Sequence, residues 1–188
     1  MIRVLRWIIA AIPLVFFALV VLYDLNLSGV RVITYDWQQE SPQISRLYPV
    51  GRLTASAGGL DVLAEPVYWR VRYPQKYDKV TVAIRYQQPQ PSVVQLGLQV
   101  QDTAGWNYYL QTLQADSSGR ASVTFDPASA AVEQRSLRFM LSLSNYDQSV
   151  NKLTIEALTV SLYKQPLTSV SAVWRALQQE LYALVKSA

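Results

Sequence analysis

The 188-residue sequence contains neither cysteine nor histidine. Without them the chain cannot form disulfides, the usual zinc coordination spheres, or a triad based on cysteine or histidine. A domain of this chain outside the cytoplasm therefore depends on packing alone, which requires a substantial core. The formal net charge is only +4, with Arg3 and Arg6 at the extreme N-terminus. This charge does not indicate a nucleic-acid-binding protein.

Paired carboxylates are the remaining route to catalysis, because glycoside hydrolysis needs only two acids about 5–10 Å apart. Asp61 and Glu65 are the closest acidic pair in the middle of the chain. They lie beside a glycine turn and a proline, so we expect solvated loop acids there. We therefore predict no catalytic residue and a protein that is not an enzyme.

The N-terminal segment predicts a membrane anchor. Residues 7–23 form an uncharged apolar run just long enough to cross a bilayer. Arg3 and Arg6 precede this run and Asp24 follows it, a bias that favours a cytoplasmic N-terminus. We expect residues 1–27 to form a cytoplasmic tip and a single transmembrane anchor, with the remainder outside the cytoplasmic membrane.

A cleaved signal peptide is the alternative interpretation of the same segment. Signal peptides have apolar regions of about 7–15 residues that end at a small-x-small cleavage site. Here the run is longer, and the following DLNLSGV contains no such pair. Retention as an anchor is therefore the favoured prediction.

Alternation of apolar and polar residues with a period of two dominates residues 28–166 and predicts an all-β domain. The phase changes in the last predicted strand, which indicates a bulge near Ala157–Leu158. In another strand Tyr108 and Tyr109 compete for the inward face. About eight or nine short strands favour a jelly-roll-like β-sandwich. The predicted strands cover residues 31–37, 51–55, 67–73, 79–87, 94–100, 106–113, 121–125, 137–143 and 153–163.

Residues 167–188 have apolar side chains at helical spacing and predict an amphipathic helix. This helix has three possible positions: folded onto the sandwich, lying on the membrane surface, or docked on another chain. Its predicted contact stripe comprises Val173, Trp174, Leu177, Leu181 and Leu184.

The stretch SLRFMLSLSNYDQSVNKLTIEALTVSLYKQP, residues 136–166, resembles the closing strand pair of carbohydrate-binding-module and galactose-binding-like jelly rolls. The resemblance implies a jelly-roll fold. In many such modules an acidic residue of the last strand helps to hold a structural calcium ion, which implies a calcium role for Glu156. We predict no other cofactor.

Polar side chains on the outward faces of the strands are candidates for ligand binding. Planar arginine and glutamine groups pair with vicinal hydroxyls, and aromatic faces stack on the CH surfaces of sugars. Tyr48 is an additional aromatic residue close to a loop. The predicted binding residues are Trp37, Tyr68, Arg70, Arg72, Arg85, Gln99, Trp106 and Tyr109.

Two functions fit these patterns. The favoured one is a membrane-tethered scaffold that contacts another envelope protein through a sheet face or the C-terminal helix. The alternative is a tethered, lectin-like module that binds a surface glycan.

Overall fold

A computed structural model describes residues 12, 15, 29–39, 41–73, 77–87, 93–102, 105–144 and 153–164. Val30–Lys164 is one of two compact units of the chain. The predicted helix at 167–188, and the predicted anchor at 7–23 apart from positions 12 and 15, lie outside the described residues. Within the described ranges, no helix has the length and apolar character that crossing a membrane requires.

Within the described residues, the unit Val30–Lys164 has ten strands arranged in two antiparallel sheets. In chain order they are β1 (Val30–Tyr35), β2 (Leu53–Ser56), β3 (Gly59–Val62), β4 (Val67–Arg72), β5 (Lys79–Gln87), β6 (Val94–Asp102), β7 (Gly105–Thr112), β8 (Arg120–Phe125), β9 (Ser136–Leu143) and β10 (Leu153–Tyr163). One sheet has the order β2-β3-β10-β5-β8, with β1 also pairing with β10. The other has the order β4-β9-β6-β7. The predicted all-β sandwich is confirmed.

The core consists of the inward residues of both sheets. In β4, Val67, Trp69 and Val71 are fully buried, as the period-two pattern predicts. The Trp69 ring stacks on Phe139 with centroids 5.6 Å apart and planes inclined by 17°. Phe125 of the opposite sheet lies 6.0 Å from Phe139. These rings join the two sheets, and the apolar area that the core as a whole removes from water is the main stabilising contribution.

The expectation of solvated loop acids is wrong for Asp61. This residue belongs to β3, a strand that the sequence pattern did not predict, and it is only 5% exposed. Its Oδ1 accepts hydrogen bonds from Ser56 Oγ (3.0 Å) and Thr154 Oγ1 (2.7 Å). These hydroxyls compensate for the lost hydration of the carboxylate. Glu65 also has protein partners, because its Oε2 accepts from Ser142 Oγ at 2.8 Å.

The predicted bulge in the last strand is confirmed one residue earlier than expected. The register between β10 and β5 shifts between Ile155 and Ala157, which leaves Glu156 as the extra residue. A bulge bends a strand locally and changes the direction of its side chains. This explains why the apolar phase changes within β10.

Candidate functional site

Four polar side chains form a row across the outer face of the four-stranded sheet. Trp69 points into the core, so its neighbours Tyr68 and Arg70 project outward. Arg70 of β4 lies directly opposite Arg138 of β9. Leu98 of β6 pairs with Phe139, which brings Gln99 beside Arg138, and Gln99 in turn pairs with Tyr108 of β7. Each strand of this sheet therefore contributes one residue to the row: Arg70, Arg138, Gln99 and Tyr108.

Three tyrosine rings lie next to one another along this row. Tyr48 stacks on Tyr68 with centroids 5.7 Å apart and planes inclined by 29°. Tyr68 lies 6.0 Å from Tyr108 at an inclination of 43°. Two backbone hydrogen bonds of 2.8 Å, one in each direction, hold Tyr48 against Tyr68. The segment before β4 thus places a third aromatic ring, that of Tyr48, next to β4.

These side chains line a cleft of about 510 Å³. This volume falls within the range of about 300–1,000 Å³ that is usual for small-ligand sites. Gly97 contributes to the concave shape, since a Cβ there would lie 3.3 Å from Tyr108 Cδ1 and 2.8 Å from Leu110 Cδ2. The absence of a side chain lets Tyr108 lie close to the β6 backbone. The lining residues are Tyr48, Tyr68, Arg70, Gln99, Tyr108 and Arg138.

One carboxylate serves both arginines of the cleft. Glu133 Oε2 lies 3.5 Å from Arg70 Nη2 and 3.3 Å from Arg138 Nη2. Burial raises the pKa of the Tyr108 hydroxyl, and the charge and hydrogen bond of Arg138 lower it to a smaller extent. Tyr108 therefore stays protonated at neutral pH and can donate a hydrogen bond.

Several buried polar atoms of the residues that line the cleft have no protein partner. Among the residues that the structure describes, Tyr48 Oη, Gln99 Oε1 and Arg138 Nε have no hydrogen-bond partner. Gln99 as a whole is only 4% exposed. Buried polar atoms in folded proteins are nearly always hydrogen-bonded, so this concentration is typical of a site for a polar ligand.

Three of the predicted binding residues, Tyr68, Arg70 and Gln99, line the cleft. Arg72 lies two residues beyond Arg70, at the exposed end of β4, and is not part of the lining. Trp37 is half-buried and packs against the core. Backbone pairing places Trp106 opposite Gln101 in β7.

Tyr108, and not the predicted Tyr109, is the tyrosine of β7 that faces the cleft. Tyr109 pairs with Leu98 and therefore points to the inner side of the sheet. There it meets Phe125 edge-on, with centroids 6.4 Å apart and planes at 81°. Arg138 is a second residue that the sequence analysis missed.

Arg85 and Glu156 lie on the other sheet, where they form an ion pair with Arg85 Nε 2.7 Å from Glu156 Oε2. Gln87 also donates a hydrogen bond to Glu156 Oε1. In the described part of the chain, no group of three or more acidic side chains could hold a metal ion. Calcium binding by Glu156 stays a prediction, and its carboxylate already has two side-chain partners. The predicted contact stripe at 173–184 lies outside the described residues.

No protein-family model matches the chain, and no curated protein matches it. Among solved structures, it is similar to the xylan-binding module CBM15, at 18% identity and a TM-score of 0.46, over 73% of this chain and 99% of that one. The CBM22-1–GH10 part of xylanase 10B from Clostridium thermocellum, solved with xylohexaose, is 12% identical at a TM-score of 0.41, over 77% and 28%. A CBM61 module solved with β-1,4-galactotriose is 11% identical at a TM-score of 0.32, over 74% and 91%. Each of these three structures contains a carbohydrate-binding module, the class of domain that the closing strands of this chain resemble in sequence.

Proposed function

We propose that the sandwich is a non-catalytic, jelly-roll-like glycan-binding domain and that the sugar lies in the cleft on its four-stranded sheet. The observation that carries this proposal is the line of three tyrosine rings beside Gln99 and two arginines. Aromatic faces pack on the CH surfaces of a sugar ring, and amide and guanidinium groups pair with its hydroxyls. We favour this function over a protein scaffold because the tyrosine, glutamine and arginine side chains line a concave cleft, whereas protein partners usually meet on flatter surfaces.

The cleft contains the kinds of side-chain group that bind sugars. It offers phenol groups, guanidinium donors and the amide oxygen Gln99 Oε1, which accepts no hydrogen bond from the described residues. A sugar carries hydroxyls that both donate and accept, so it can pair with the amide and guanidinium groups of the lining side chains. Hydrolysis would need a pair of carboxyl groups at the bound sugar, whereas the lining side chains are cationic, amide and phenolic.

We further propose that residues 1–27 tether this domain to the outer surface of the cytoplasmic membrane. The support is the charge asymmetry around the apolar run at 7–23. A tether would keep the cleft close to polysaccharides of the cell envelope. The C-terminal segment at 167–188 would then have a supporting role as an amphipathic helix.

A glycan array probed with the purified full-length chain in detergent tests the proposal. We expect binding to a restricted set of oligosaccharides, with affinities then measured by isothermal titration calorimetry. Tyr68→Ala and Tyr108→Ala should each weaken binding by about tenfold, if one ring contributes about 1–1.5 kcal/mol. Tyr109→Ala is the matched control, because Tyr109 is adjacent to Tyr108 but lies on the opposite face.

Thermal unfolding of every variant shows whether the fold is retained. Unchanged affinity in folded Tyr68→Ala and Tyr108→Ala would contradict a sugar site in the cleft. A chain that binds no glycan, but recovers one envelope protein through the same face, would support the scaffold function instead.

A further inference from the structure

We infer that the cleft selects a sugar that carries a carboxylate, a uronic acid, and that Arg70 and Arg138 bind this group. The inference rests on the glycan-binding function proposed above and adds the substrate class. Three features carry it: the position of the two arginines in the sheet, their shared counter-ion, and the unpaired Nε donor of Arg138.

The position of the arginines is electrostatically unfavourable in the free protein. Arg70 and Arg138 are directly opposite each other on neighbouring antiparallel strands. Like charges at such positions destabilise a sheet. A neutral sugar can pair with guanidinium donors, but it does not offset the repulsion between two adjacent positive charges. A negatively charged ligand group, in contrast, would be stabilised by both.

The shared counter-ion leaves a net positive charge at this end of the row. Glu133 contributes a single oxygen to both guanidinium groups, at 3.5 Å and 3.3 Å. Strong charge-assisted N–H···O hydrogen bonds are shorter, about 2.7–2.9 Å. Glu133 therefore holds the two side chains together without saturating them. A second carboxylate is the chemical group that would complete the arrangement.

The donors of Arg138 are suited to a carboxylate. Its Nη2 faces Glu133, while its Nε is buried and has no partner among the described residues. An arginine binds a carboxylate through two parallel N–H donors of its planar fork. Because Arg138 Nε is covered in the free protein, a uronate carboxylate would pair with it after the side chain turns toward the cleft. The guanidinium of Arg70, on the neighbouring strand, contributes the second positive charge.

The rest of the row suits the uncharged part of the same sugar. Gln99 and Tyr108 follow Arg138 across the sheet and present an amide and a hydroxyl. The Tyr68 ring lies beside them, with its centroid 6.0 Å from that of Tyr108. The row thus changes from cationic at β4 and β9 to neutral and polar at β6 and β7. This order matches a ligand with a carboxylate at one end of the contact and hydroxyls at the other.

The test compares acidic oligosaccharides with their carboxyl-reduced forms, in which CH2OH replaces the carboxylate and nothing else changes. One such pair is a β-1,4-linked glucuronate hexamer and cellohexaose, and a panel should include other linkages. We expect the full-length chain to bind the acidic member of its best pair at least about tenfold more tightly, which corresponds to about 1.4 kcal/mol. Salt at about 0.5 M should reduce this preference, because it screens exposed charges.

Arg70→Met and Arg138→Met should lose the preference and keep binding to the reduced form. Arg72→Met is the matched control, since Arg72 is on the same strand, two residues away, and outside the cleft lining. If either methionine variant fails to fold, the corresponding lysine variant keeps the charge but loses the fork. It should then show a weakened preference.

Equal affinity for both members of every pair would overturn the uronate inference and leave the glycan-binding function in place. Binding of no glycan would overturn the proposed function itself. Equal binding of polyaspartate, or an equal loss in Arg72→Met, would show general attraction of anions to a basic chain and would also overturn the inference.

Discussion

Trp69 provides the most direct test of the core. Its side chain is fully buried, and its ring stacks on Phe139 between the two sheets. A buried aromatic side chain removes about 150–250 Å² from water, worth about 4–6 kcal/mol at about 25 cal/mol per Å². This is an upper value, and core substitutions of this kind cost about 3–5 kcal/mol. We therefore expect Trp69→Ala to lower the free energy of unfolding by about 3–5 kcal/mol.

Trp69→Phe should behave differently. The indole Nε1 of Trp69 is buried without a hydrogen-bond partner among the described residues. Leaving such a donor unpaired costs about 1–3 kcal/mol, and phenylalanine removes the donor while it keeps a ring on Phe139. The smaller ring loses a similar amount of packing. The two changes should nearly cancel, so we expect a net change within about 1 kcal/mol.

Urea unfolding followed by far-ultraviolet circular dichroism measures both variants, with the slope of the transition as a check on two-state behaviour. A loss below about 1 kcal/mol for Trp69→Ala would show that this face of β4 is not in the core. A loss for Trp69→Phe as large as that for Trp69→Ala would refute the unpaired-donor argument.

Three further predictions concern other parts of the chain. Gly97→Ala should change stability by less than about 1 kcal/mol. It should nevertheless weaken glycan binding in calorimetry, because its Cβ would lie 3.3 Å from the Tyr108 ring. Hydrogen bonds, led by that of the Ser118 hydroxyl, hold the pKa of Asp116 below its ordinary value of 3.8. The ionised Asp116 carboxylate therefore stabilises the fold above its ordinary pKa, and this stabilisation is lost as the pH falls through the folded-state pKa. Asp116→Asn should accordingly reduce the pH dependence of the free energy of unfolding below about pH 4, measured by urea titration. Protease added to intact spheroplasts should digest the sandwich and spare a stub of residues 1–27, whereas full protection of the domain would contradict the proposed topology.

Strand positions were predictable because each sheet has one buried face. The alternation in β4 directly identified Trp69 as inward and Tyr68 and Arg70 as outward. β3 was not predictable in this way, because three of its four residues are buried and no alternation results. Asp61 was misjudged for the same reason. One hydroxyl that compensates its burial belongs to Thr154, 93 residues away, and no local pattern reveals such a partner.

The sequence contains enough information to predict which of Tyr108 and Tyr109 lies on the outer face of the sheet. Asp102 pairs with Gly105, so only two residues connect β6 and β7. A two-residue connection fixes the register of a hairpin. Counting back from that turn pairs Gln99 with Tyr108 and Leu98 with Tyr109. Arg138 is a different case, since its place beside Arg70 depends on the order of strands in the sheet, which local periodicity does not determine.

The alternating direction of side chains in the four-stranded sheet separates the residues that maintain the fold from those that meet the ligand. Trp69 and Phe139 hold the sheets together, while their immediate neighbours Arg70 and Arg138 line the cleft. Substitution of a partly exposed outward residue such as Arg70 leaves the core unchanged, so ligand preference can diverge or be engineered there with little loss of stability. Because each strand of this sheet contributes one residue to the row, single substitutions can change ligand specificity independently on each strand.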